Sequence, residues 1–89
     1  MTNLSTTIEV EIRYFAAARA AAGVETETLG VAEGTTVAGL VDHLGARDPR
    51  LALVLARCSF LCDGVAVRDR SEALKSRQIV DVLPPFAGG

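Results

Sequence analysis

An α+β fold is what this sequence predicts: one mixed sheet, covered by a main helix and a short second helix. Three observations predict it. Residues 8–15 (IEVEIRYF) alternate apolar and polar, the mark of a strand with one buried face. Val37, Leu40, Val41 and Leu44 recur at helical spacing behind Thr36. Ser59-Phe60-Leu61-Cys62 and Val65-Ala66-Val67 flank Asp63-Gly64, and Asp-Gly between apolar runs signals a hairpin.

In the first strand Ile8, Val10, Ile12 and Tyr14 point inward, and Glu9, Glu11, Arg13 and Phe15 point outward. Residues 16–22 are alanine-rich around Arg19, which favours a helical turn that Gly23 ends. Residues 24–31 contain VETETL, a second strand able to pair back on the first. Thr36 is the natural N-cap of the main helix, with Gly45 and Pro49 marking its end. Residues 50–57 are leucine-rich and read as a second short helix, although so short a run also fits a strand. Residues 68–76 are polar, with Ala73 and Leu74 as an anchor. Residues 78–83 form the last strand, which Pro84-Pro85 must end because proline has no ladder donor. A right-handed crossover lets the first and last strands lie parallel side by side.

Eighty-nine residues make one domain with one modest core. The organisation expected is a polar arm at 1–7, a domain at 8–83 and a tail at 84–89. Charges are mixed and sum to −2, with no basic run, so neither nucleic acid nor a membrane is an expected partner. The start lacks the basic and apolar regions of a signal peptide, and the longest aliphatic run, residues 51–56, is far short of a membrane span. A cytoplasmic location follows as the default, and two free thiols, Cys58 and Cys62, fit a reducing compartment.

The C-terminus reads Pro84-Pro85-Phe86-Ala87-Gly88-Gly89. Two glycines add reach and thinness but no packing, which suits a narrow slot in another protein. A loose terminus is the plain alternative. Strand parity adds a second clue. With Val80 and Val82 inward, Leu83 ends the last strand facing outward as Phe15 ends the first. Parallel neighbours would place both at one end of the exposed face, beside the tail, as a docking surface.

Three stretches resemble a known family. These are Arg13-Tyr14-Phe15-Ala16-Ala17-Ala18-Arg19, Gly34-Thr35-Thr36-Val37-Ala38-Gly39-Leu40 and Leu83-Pro84-Pro85-Phe86-Ala87-Gly88-Gly89. They resemble MoaD, the small sulfur-carrier subunit of molybdopterin synthase, within the MoaD/ThiS group of ubiquitin-like proteins. The resemblance covers nearly the whole chain from Ile8, and Pro-Pro-x-x-Gly-Gly is its specific part. It implies a β-grasp fold and a carrier whose chemistry sits on its own C-terminus, with catalysis by partners. An adenylating enzyme of the E1 type would activate the Gly89 carboxylate with ATP, and a persulfide donor would convert it to a thiocarboxylate. Gly88 would give the tail access to the partner's tunnel. Two such carriers would supply the dithiolene sulfurs of molybdopterin inside the large subunit. The match implies Phe15, Val65 and Leu83 as large-subunit contacts, with Phe86 at the tunnel mouth. No stably bound cofactor and no metal are implied.

The chain departs from that pattern at four places. Gly39 stands where an acidic residue is frequent, Ser76-Arg77 where Gly-Asp is, Cys62 where Asn is, and Phe86 where a smaller aliphatic residue is. Other side chains suggest no chemistry of their own. Free cysteine is among the most buried residue types, so Cys58 and Cys62 read as packing. One His and two Cys make a poor metal set, and His43 reads as a solvated helix residue. Glu9, Glu11, Glu25 and Glu27 read as exposed strand carboxylates. Alternative readings are a ThiS-like donor for another pathway, a ubiquitin-like modifier of lysines, and a plain interaction module.

Overall fold

Strand β1 (Thr7–Tyr14) leads directly into helix α1 (Ala16–Ala22), and β2 (Thr26–Ala32) returns antiparallel to β1. Helices α2 (Val37–Arg47) and α3 (Pro49–Leu55) follow, then the hairpin β3 (Ser59–Cys62) and β4 (Val65–Ala66), and finally β5 (Ile79–Leu83). The computed structural model describes residues 6–85. The strands form one sheet in the order β2-β1-β5-β3-β4. β1 and β5 run parallel at its centre, and β3 joins the other side of β5 antiparallel.

The alternation in β1 does what the sequence expects. Ile8, Val10, Ile12 and Tyr14 are buried, as are Val80 and Val82 of β5 and Phe60 of β3. Val37, Leu40 and Leu44 of α2 and Leu51 and Leu55 of α3 close the same core from the helix side. Each such side chain contributes about 1.5–3 kcal/mol when fully buried. The helices start where the chain supplies caps. The Thr36 hydroxyl accepts from Gly39 N–H at 3.0 Å, and the Asp48 carboxylate accepts from Arg50 N–H at 2.8 Å with Pro49 opening α3. Gly23 ends α1 at φ +81, and Asp63-Gly64 turns the hairpin at φ +49 and +81. The covering layer holds three helices, because residues 16–22 form a full short helix besides the main one and α3.

Gly45 has a different role from the one its type suggests. It lies inside α2, which continues to Arg47. A Cβ there would stand 3.3 Å from the Ala52 Cβ of α3, so the missing side chain lets the two helices approach closely. The stop comes from Asp48-Pro49, since a residue before proline is driven out of the helical region.

Arg77 adopts φ +67 in the turn before β5, and its N–H donates to the Glu9 carbonyl at 2.6 Å. A left-handed non-glycine residue costs about 1 kcal/mol. Ser76-Arg77 therefore forms the turn, but under strain. Arg77→Gly is expected to raise the melting temperature by a few degrees. One kcal/mol corresponds to about 4–8 °C in a domain this size, partly offset by glycine's unfolded-state entropy. Calorimetry checks this, and a fall would show that the arginine side chain itself stabilises the fold.

Glu27 is not on the exposed face expected of it. It pairs with Ile12, so it points to the helix side, over the end of α2. Arg47 grips it through two nitrogens at 3.0 and 3.1 Å, and the Tyr14 hydroxyl donates to it at 2.6 Å. Desolvation alone would raise its pKa. The Arg47 and Tyr14 hydrogen bonds outweigh that and hold Glu27 below the usual carboxylate range. Burial, followed by the bond to Glu27, pushes the Tyr14 phenol well above its ordinary value. Stability from Glu27 is thus present above its unfolded value of about 4.3, and is lost as pH falls through the lower folded value. Glu27→Gln should melt below wild type at neutral pH, with the gap closing below about pH 4. A gap that persists unchanged in acid would assign it to shape instead of charge.

Candidate functional site

The tail root brings the exposed Phe15 beside Leu83. Phe15 follows β1, and its N–H donates to the Val82 carbonyl at 3.2 Å. That bond extends the β1–β5 ladder by one residue and sets Phe15 beside Leu83. Phe15 then caps α1 with an extended backbone, and Ala16 turns the chain sharply at φ +50. The strand-to-helix corner leaves Phe15 40% exposed. Leu83 of β5 pairs with Ser59 of β3 and is half-buried, less open than parity alone implies. Pro84 and Pro85 continue from it. Gly88, Gly89 and Phe86 lie outside the described residues.

Val65 is 68% exposed, but it stands at the far end of β3, paired with Cys62 beside the hairpin turn. The structure therefore brings Phe15 and Leu83 together and leaves Val65 at a separate corner. Half-buried Leu61 pairs with both Ala66 and Asp81 on the outer face, whereas Val65 shares the side of Cys62 and Val80.

An ion pair that the sequence reading missed sits in the middle of this outer face. Arg13 Nε and Nη2 reach Asp81 Oδ1 and Oδ2 at 2.6 and 3.0 Å. Asp81 points outward as parity requires, yet it is only 5% exposed. The Arg13 guanidinium closes over it, and Ile79, Leu83 and Leu61 flank it. The signal was available: both residues face outward in parallel neighbours, and the register pairs them directly.

The thiols take no part in the site. The buried Cys58 Sγ donates to the Val54 carbonyl at 3.2 Å, and Cys62 is half-buried in β3. Burial pushes both thiols up, which keeps them protonated and poor nucleophiles. His43 is exposed on α2. Among the described residues no group of three His, Cys, Asp or Glu is placed to hold a metal, and no helix is long and apolar enough to cross a membrane. The last strand thus delivers Pro84 and Pro85 beside an apolar corner.

A five-strand mixed sheet with parallel central strands, one face covered by helices and the C-terminus leaving from the central strand, defines a ubiquitin-like β-grasp protein. Residues 12–89 match the ThiS family, and the chain belongs to it. A molybdopterin synthase sulfur carrier subunit from Chlamydomonas reinhardtii is 32% identical over 83 residues, covering 92% of this chain and 100% of that protein. A putative molybdopterin converting factor, subunit 1, from Pyrococcus furiosus superposes with a TM-score of 0.80 at 28% identity, covering 89% of this chain and 99% of the other. Small archaeal modifier protein 1 from Methanosarcina acetivorans superposes with a TM-score of 0.77 at 26% identity, covering 94% and 99%.

Proposed function

We propose that this chain is the sulfur carrier of a molybdopterin synthase, with its reactive group at the Gly89 carboxylate. The observation that carries the reading is the family match, which runs through residue 89 and so includes Gly88-Gly89. The Chlamydomonas relative, matched along its whole length, is named for that role. The chemistry is consistent with the residues present. A carboxylate is a poor electrophile, and adenylation with ATP by an E1-like partner gives it a good leaving group. The terminal sulfur of a persulfide donor then displaces AMP to give an acyl disulfide, a second thiol on the donor side cleaves it by disulfide exchange, and the thiocarboxylate released offers a polarizable nucleophile to the pyranopterin precursor in the large subunit. Phe15 and Leu83 dock that subunit at the tail root.

The test is intact-mass analysis of the protein incubated with its adenylating enzyme, ATP and a sulfur source. Replacement of one terminal oxygen by sulfur is expected, with no product when ATP is withheld. Failure to acquire sulfur with an active enzyme set would sink the reading. The likeness to a small archaeal modifier supports a second reading, attachment of Gly89 to lysines. That reading predicts isopeptide-linked conjugates in cell extract, which a dedicated sulfur carrier does not form.

A further inference from the structure

Helix α3 carries an exposed stripe that neither the core nor the docking corner uses. Leu51 and Leu55 are buried, so the turn between them faces away from the core and leaves Leu53 74% exposed. Arg50 stands one turn before Leu53 on the helix, and Arg57, two residues past the helix end, lines the same groove as Leu53. Both arginines are exposed, and neither makes an ion pair among the described residues. The stripe borders a groove of about 430 Å³ lined by Ala17, Leu53, Val54, Arg57, Pro84 and Pro85. The root of the tail thus forms one wall of this groove.

Chain length decides what must come close. On the carrier reading, the reactive carboxylate of Gly89 is four residues beyond Pro85 and so within about 14 Å of it. A partner whose reacting centre takes that carboxylate must therefore press against the tail root. The root has two flanks. One is the Phe15–Leu83 corner. The other, continuous with it through Ala16 and Ala17, is the α3 groove. A stable subunit contact needs roughly 800 Å² per partner, more than two side chains at one corner supply.

We propose that the α3 flank is the second half of the surface that binds the large synthase subunit, with Leu53 as its anchor. This rests on the carrier reading above. The partner surface it fits is an apolar hollow rimmed by carboxylates, the hollow taking Leu53 and the rim pairing with Arg50 and Arg57. A transient activating enzyme needs less area than a lasting subunit, which favours the large subunit as the occupant.

Calorimetric titration of purified large subunit tests it, using wild type, Leu83→Lys, Leu53→Glu and Arg57→Glu. Leu53 is exposed, so the fold should tolerate Leu53→Glu and melt like wild type. Leu53→Glu is expected to weaken binding by at least about tenfold. Arg57→Glu should weaken it too, by a factor that shrinks as salt is raised. If wild type binds, Leu83→Lys weakens binding and both α3 variants bind like wild type, the α3 proposal falls and the carrier reading stands. If wild type fails to bind, both fall. Sedimentation of the free protein adds a further check: a dimer that Leu53→Glu dissolves would make a second copy the occupant and overturn the proposal.

Discussion

Protein lacking Gly89 is expected to acquire no sulfur, while melting at the same temperature as wild type. The deletion leaves a carboxylate on Gly88, one residue short, and the adenylating centre meets the wrong atom. A displacement of about 1 Å can already cost about 100-fold in rate, and a whole residue moves the group by about 3.5 Å. One residue added after Gly89 should be equally damaging, because the carboxylate then belongs to another residue. Gly89→Ala should also be poor, since the methyl crowds a narrow slot and restricts the backbone. Among the described residues the core ends at Val82, seven positions before Gly89. Intact mass after ATP-dependent sulfuration reads all four proteins in one assay. Equal sulfuration of the shortened and lengthened chains would end the carrier hypothesis and leave the glycines a loose end.

Leu83→Lys is expected to weaken binding of the large subunit by about 100-fold, because an interface-centre position would then bury an unpaired charge. The half-burial of Leu83 gives the variant a second effect. Removing its packing at the end of β5 should cost about 1 kcal/mol and lower the melting temperature by several degrees. Phe15→Ser separates the two effects, since the ring is more exposed and its backbone bond to Val82 survives the change. Both variants should lose binding, and Phe15→Ser should lose less stability. Wild-type affinity in both would remove the corner from the interface.

Most of the fold was legible because single-face burial writes itself into the chain. β1 alternates through eight residues, the α2 stripe repeats at helical spacing, and Asp63-Gly64 carries its turn type in its residue types. Parity also put Phe15 beside Leu83, given only that the first and last strands are parallel neighbours. What escaped depends on a second element whose position the local sequence does not state. Glu27 looks like a solvent carboxylate until Arg47 and Tyr14 are brought to it from α2 and β1. Asp81 looks exposed until Arg13 covers it. Gly45 looks like a helix stop until Ala52 of α3 is seen against it. Leu53 was readable, since two positions from either of the buried leucines in a short helix is the outward side. Its meaning came only with Pro84 and Pro85 beside it.

The central place of β5 also has a mechanical meaning. A partner that draws the tail into a tunnel pulls on the end of β5 along the strand. β1 and β3 hold that strand from both sides, so the load falls on two hydrogen-bonded ladders in shear, all rungs at once. A strand at the sheet's edge, or one pulled sideways, would instead peel one rung at a time. The domain is therefore built to bear a pull applied at Pro84 while its body stays folded.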